Sequence, residues 1–186
     1  LLPIREDNPS KREAFTTEEG YDRGLQLQDV NGDGLADLVR ADGAQRYTYI
    51  NNGSGWTYDS SWVMPLPFIN GTNDSGARFS DFNGDGLADI LCHTDSTTSG
   101  SCDQTNPLAY LNTGTGWTDV SSTWVFPNKA WTSGTEVFLD GTYQDEGVRV
   151  LDVNGDGMDD LLRGNCSPGC KYTYLNNEDT SANLLT

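Results

Sequence analysis

Apolar and polar residues alternate with a period of two in short runs along this chain, as in Leu25-Gln-Leu27-Gln-Asp29 and Val148-Arg-Val150-Leu-Asp152. That period places successive side chains on opposite faces of a β-strand. Each run is followed by a Gly-rich loop and then by Asp37-Leu-Val, Asp89-Ile-Leu or Asp160-Leu-Leu, which reads as a second strand. A third strand is predicted at Tyr47-Thr-Tyr-Ile-Asn51, Ala109-Tyr-Leu-Asn112 and Tyr172-Thr-Tyr-Leu-Asn176, and a fourth at Gly55-Trp56 and Gly116-Trp117. The Asn-Asn-Gly-Ser-Gly and Asn-Thr-Gly-Thr-Gly joints are hairpin turns, because Asn and Gly tolerate positive φ. Helix formers are sparse and aromatics frequent, so the fold class is all-β.

The four predicted strands recur as a unit. The first Asp of each Gly-rich loop falls at 29, 81 and 152, a spacing of 52 and then 71 residues, with the variation confined to Gly, Ser, Thr and Asn-rich stretches. Four antiparallel strands at that period suit a propeller blade better than a sandwich. The chain divides into an N-terminal arm at 1–20, a first blade at 21–75, a second at 76–146 and a partial third at 147–186. No Gly-x-Gly-Trp follows Asn176, so the third blade is expected to lack its fourth strand. Three four-stranded antiparallel blades are too few to close a ring, so the array is expected to stay open or to be completed by other chain segments or subunits. The arm is the segment available to pair with a neighbour.

Each loop reads Asp-x-Asn-Gly-Asp-Gly-x-x-Asp, a collection of hard oxygen donors. Asp29, Asn31, Asp33 and Asp37 offer side-chain oxygens and Leu35 its carbonyl. The equivalents are Asp81, Asn83, Asp85, Leu87 and Asp89, then Asp152, Asn154, Asp156, Met158 and Asp160. Ca²⁺ takes six to eight such oxygens, and the two glycines permit the bend that gathers them. Carboxylates about 5 Å apart repel by roughly 3 kcal/mol per pair at an effective dielectric of about 20, so a cation is expected to tighten each loop. An EF-hand would need an acidic residue at position 12, where Arg40, Cys92 and Arg163 stand, and flanking helices. Zinc would need Cys or His at ligand positions, and Mg²⁺ prefers an octahedron rich in water. Three Ca²⁺ ions are therefore the expected cofactor, with dissociation constants on the order of 10⁻⁴ to 10⁻³ M, as in other secreted modules.

Asp-x-Asn-Gly-Asp-Gly-x-x-Asp between two strands, with Tyr-Leu-Asn-x-Gly-x-Gly-Trp after it, resembles the FG-GAP or VCBS repeats of integrin α-chain propellers, fungal propeller lectins and bacterial surface and toxin proteins. The likeness covers roughly residues 24 to 176. It implies a calcium-binding β-propeller, usually of about seven blades where this chain has three.

A formal charge of −17, from 28 acidic and 11 basic residues, disfavours nucleic acid and anionic membrane as partners. Nine of the acidic residues are loop ligands, and three Ca²⁺ would bring the charge to −11. No apolar run approaches the length of a membrane span, so no membrane insertion is expected. Cys92 with Cys102 and Cys166 with Cys170 lie close in sequence, each pair in the second-to-third-strand hairpin of its copy, which favours two disulfides over a four-cysteine zinc site. Asn52, Asn70, Asn73 and Asn165 begin glycosylation sequons. Together these point to an extracellular or cell-surface setting and to a processed or excised piece of a secreted protein.

His93 is the single histidine and is expected at the surface. No nucleophile elbow or phosphate loop is present, and the chain is not read as an enzyme. Trp56, Trp62, Trp117 and Trp124 recur at matching repeat positions, as interblade packing requires, and Trp131 is the freest to meet a ligand. The leading expectation is a calcium-stabilised structural or adhesion module, part of a surface protein or the subunit of an extracellular filament. Its partners would be other copies of itself, further blades, or an extracellular protein or glycan. A carbohydrate-binding lectin is the rival, and a fragment of a bacterial toxin shell a third reading.

Overall fold

The computed structural model describes residues 1–5, 9–94, 107–123, 138–140, 142–164, 172–176 and 183–185. Three four-stranded antiparallel sheets follow one another along the chain. The first comprises β1 (Leu25–Gln28), β2 (Asp37–Ala41), β3 (Arg46–Asn51) and β4 (Trp56–Tyr58). A one-turn 3-10 helix, η1 (Ser60–Trp62), and a small hairpin, β5 (Ile69–Asn70) with β6 (Asn73–Asp74), lie in the connection to the second sheet. That sheet comprises β7 (Ala77–Ser80), β8 (Asp89–Cys92), β9 (Leu108–Asn112) and β10 (Trp117–Asp119). The third comprises β11 (Val148–Leu151), β12 (Asp160–Arg163), β13 (Tyr172–Leu175) and β14 (Asn183–Leu185).

Register is the same from blade to blade. Gln28 faces Asp37, Ser80 faces Asp89 and Leu151 faces Asp160, so each acidic loop springs from the same end of its sheet. The expected fourth strands form at Trp56 and Trp117. The third blade corrects the sequence reading: Asn183–Leu185 pairs with β13, so the fourth strand is present although the Gly-Trp signature is not. Backbone pairing asks only for an extended segment of the right reach, and Asn-Leu-Leu meets that need without the motif.

Alternation along the strands gives each blade two apolar faces, and neighbouring blades seal them. Val30, Val39 and Ala41 of the first blade meet Ala77, Ile90 and Cys92 of the second, with Trp62, Met64, Leu66 and Phe68 of the connection wedged between. Trp62 lies edge-on to Trp117, ring centres 5.7 Å apart. Phe82, Leu91 and Ala109 of the second blade meet Val148 and Leu161 of the third through Phe138 and Leu139. Trp62 and Trp117 are thus packing residues, as expected. Trp124 and Trp131 lie outside the described residues.

Residues 1–5 and 9–20, the described part of the expected arm, and residues 21–23 after them lie against the first sheet. Leu2 and Trp56 each pack against the cluster of Leu25, Leu38, Tyr47 and Tyr49. The Tyr49 hydroxyl donates to the Ile4 carbonyl at 2.6 Å, and the Trp56 indole to the Leu1 carbonyl at 3.1 Å. Glu13 is buried, pairing with Arg40 at 3.1 Å and accepting from the Tyr47 hydroxyl at 2.7 Å. Gly24, at φ +65°, closes this region: an added Cβ would stand 2.5 Å from the Ala41 carbonyl oxygen. His93, expected at the surface, is fully buried. It follows β8 into the wedge between the second and third blades, where its carbonyl accepts the Phe138 amide.

Candidate metal centres

In the first loop the leading carboxylate organises the bend. Asp29 accepts the amides of Gly32 at 2.8 Å, Asp33 at 3.2 Å and Gly34 at 2.7 Å, while Asp33 accepts that of Leu35 at 2.8 Å. Gly32 and Gly34 hold φ of +76° and +85°, a conformation that glycine adopts freely. The second loop repeats the pattern with Asp81 on Gly84 and Gly86, and the third with Asp152 on Gly155 and Gly157. Asn31, Asn83 and Asn154 each accept the amide two residues on and donate to the carboxylate at position 5.

The position-9 carboxylates are built differently. Asp37, Asp89 and Asp160 are fully buried. Each spends one oxygen on the amide of loop position 2 (Val30, Phe82, Val153) and the other on the amide that ends the third strand (Asn51, Asn112, Asn176). The carboxylate thus ties loop, second strand and third strand together.

Electrostatics show that each loop's carboxylates feel one another. Burial pushes the Asp89 carboxyl up to about 7, against the amides of Asn112 and Phe82, and the charges of Asp85 and Asp81 add to the rise. Burial likewise raises Asp37, with Asp33 and Asp29 contributing, and Asp160, with Asp156 and Asp152 contributing. Asp81 is also raised, chiefly by burial. The exposed Asp152 is lowered instead, first by the amide of Gly155.

Among the described residues no three His, Cys, Asp or Glu side chains already converge as metal ligands. The loop carboxylates turn onto loop amides. Apart from Asp29 Oδ1, which takes the amides of both Gly32 and Asp33, the carboxylate oxygens named here accept one hydrogen bond each and keep a second lone pair. No hydrogen bond among the described residues uses the carbonyls of Leu35, Leu87 or Met158. The donor chemistry fits an oxygen-seeking divalent cation: hard oxygens only, mutual repulsion within each loop, and spare lone pairs.

A second set of residues was present in the quoted motifs without an assigned role. Asn112 ends the third strand of its blade, and its side-chain amide donates to the Val30 carbonyl at 2.8 Å, across the blade boundary, and to Ala88 at 3.2 Å. Asn176 repeats this on Phe82 at 2.6 Å and Asp159 at 3.2 Å. Asp159 adds a clamp, accepting the Asp81 amide at 2.9 Å and donating its own amide to the Asp81 carbonyl at 2.7 Å. The recurrence of Asn after Tyr-Ile or Tyr-Leu was the available signal. Of the other predicted sites, Asn52, Asn70 and Asn73 are exposed and Cys92 is buried in β8. Cys102, Cys166, Cys170 and Asn165 lie outside the described residues.

Residues 29–92 match the model of the FG-GAP-like repeat. Among solved structures the chain is similar to a lectin from Agrocybe aegerita, described as specifically recognising non-reducing terminal N-acetylglucosamine. The two are 23% identical with a TM-score of 0.55, over 95% of this chain and 42% of the lectin chain. This chain thus spans less than half the lectin's length, and the likeness is one of fold. No curated protein sequence matches. No helix among the described residues is long and apolar enough to cross a membrane. The chain carries an FG-GAP-type repeat within an all-β, propeller-like array of blades.

Proposed function

We propose that this chain is a calcium-stabilised structural or adhesion module of the extracellular space, its three loops each taking one Ca²⁺ to hold adjacent strands in shape. The observation that carries this reading is the threefold repetition of one oxygen-donor set. In every loop the position-9 carboxyl is raised by burial and by its neighbours' charges. A bound cation would relieve that repulsion and favour the ionised carboxylates. Exposure of Asn52, Asn70 and Asn73 supports their use as glycan acceptors, and the disulfide-bonded state of Cys92 supports an oxidising setting. No catalytic role is assigned. Titration calorimetry with Ca²⁺ tests the reading: three sites are expected, and absence of heat overturns it.

The similarity to an N-acetylglucosamine-recognising lectin favours a second reading, a carbohydrate-binding module. Glycan-array binding that is lost on Trp131→Ala supports it. An array without signal removes it.

A further inference from the structure

The three blades differ at one repeat position. Arg23, Ser75 and Glu146 each stand before the glycine that leads into the first strand of their blade. Glu146 pairs with Arg163 of the adjoining strand at 2.6 Å, and the Ser75 hydroxyl donates to the Pro67 carbonyl. In the first blade Arg40 holds the position of Arg163, so the register that brings acid to arginine in the third blade brings a second arginine here. Arg40 is fully engaged, through one nitrogen with Glu13 and Tyr47 and through two others with Asp42. The Arg23 guanidinium has no hydrogen bond or ion pair among the described residues. Arg12 and Arg46, by contrast, reach backbone carbonyls, and Arg78 and Arg149 reach carboxylates. The Nε of Arg23 is shielded from solvent, so the stem of the side chain is packed, while its terminal nitrogens are reached by solvent. Arg23 is thus held in place by packing and keeps its terminal donors for a partner.

Arg23 lines a cleft of about 410 Å³. Other walls are Asp22 beside it, Asp42 and Ala44 in the turn from β2 to β3, and Ile69 and Asn70 of the β5 to β6 hairpin. The two connections that flank the first blade meet here, at the end of the sheet opposite its acidic loop. Every wall lies between Thr17 and Gly71, so the cleft is formed whatever adjoins the array at either end. Its volume suits one small molecule. Its polar groups are of both signs. Asp42 has both oxygens taken, by Arg40 and by the amides of Ala44 and Gln45. Asp22 gives one oxygen to the Gly24 amide at 2.7 Å and keeps the other. A bare anion would suit Arg23 but would meet the Asp22 carboxylate with no proton to offer it. A molecule that carries both a carboxylate and hydroxyls satisfies the guanidinium fork and the acceptor together. The chain's charge of −17 is screened beyond about 8 Å at physiological salt, so the cleft's own groups decide the preference.

We propose that this cleft binds a sugar acid of the hexuronate class, its carboxylate on the terminal nitrogens of Arg23 and its hydroxyls on Asp22 and Asn70, with Ile69 against the ring. The site deepens the carbohydrate-binding reading, on which it rests, and depends neither on Trp131 nor on calcium.

Titration calorimetry with glucuronate, glucose and acetate at physiological salt tests the assignment. All proteins carry Thr72→Ala, which removes the Asn70 sequon and keeps the Asn70 amide. Glucuronate is expected to bind with a dissociation constant on the order of a millimolar, and glucose and acetate at least about tenfold more weakly. Arg23→Gln and Arg23→Lys, both checked for unchanged circular dichroism, should each weaken glucuronate by about tenfold or more, the lysine because a point charge cannot form two parallel bonds to a carboxylate. Ala44→Trp, which fills the cleft from an exposed turn, should abolish binding. No heat with glucuronate overturns the proposal. So does acetate bound as tightly as glucuronate, which marks a general anion site, or full affinity in Arg23→Gln. Glycan-array binding lost on Trp131→Ala but untouched by Arg23→Gln overturns this cleft while leaving the carbohydrate-binding reading in place.

Discussion

Replacing Asn112 by Ala isolates the contact between blades. The side chain is 3% exposed, and its amide satisfies the Val30 carbonyl on one blade and the Ala88 carbonyl on its own. A buried polar group left without a partner costs about 1–3 kcal/mol, so two such carbonyls predict a loss of about 2–6 kcal/mol. With a urea m-value of about 2 kcal/mol/M, the unfolding midpoint should fall by roughly 1–3 M. Asn51→Ala is the internal control. It holds the same repeat position, but its one side-chain donation, to Ala36, is solvent-exposed and replaceable by water. Its cost should stay below about 1 kcal/mol. Both variants are measured by urea titration followed through tryptophan fluorescence. Equal losses at Asn51 and Asn112 would refute the assignment of the Asn112 amide to a buried link between blades.

Other outcomes follow from the packing and the charges. Phe82→Ala, which empties a fully buried site between the second and third blades, should cost about 3–5 kcal/mol in the same urea assay. Arg40→Met leaves Glu13 buried without its cation and should cost about 3–5 kcal/mol, with much of the loss recovered on adding Glu13→Gln. For Asp42, burial alone would raise the carboxyl, but Arg40 and the amides of Ala44 and Gln45 outweigh it and hold it below the ordinary range. A depressed folded value means that its stabilisation is present above about pH 4 and is lost as pH falls through the folded value. Asp42→Asn should accordingly flatten the acid limb of a stability profile, and an unchanged limb would count against the pairing.

Much of the fold was legible because its signals are local. Period-two alternation, Asn-Gly turns and the recurring Gly-Trp marked β1 to β4 and β7 to β10, since strand faces and turn dihedrals depend on neighbouring residues alone. The loops were legible for the same reason. What escaped depends on distance in sequence. Asn112 meets Val30 from 82 residues away, and nothing in Tyr-Leu-Asn announces that partner. His93 reads as polar, yet the wedge between blades buries it. β14 pairs by backbone reach where the motif had ended. Asp37, Asp89 and Asp160 were read as ligands only, whereas the structure also uses both oxygens of each to clamp backbone amides, a role visible only once the third strand folds beside the loop.

The central claim is that divalent cations hold the three loops, and thermal melting in calcium against EGTA tests it most directly. At a calcium concentration of about 10 to 100 times the dissociation constant, each site adds roughly 1.4–2.7 kcal/mol, so three sites predict a rise in Tm of many degrees, lost in EGTA. Substituting Asn for Asp29, Asp81 and Asp152 together should abolish that difference. Melting curves that coincide in calcium and EGTA would contradict the account, leaving the carboxylates as caps for their own loop amides and nothing more.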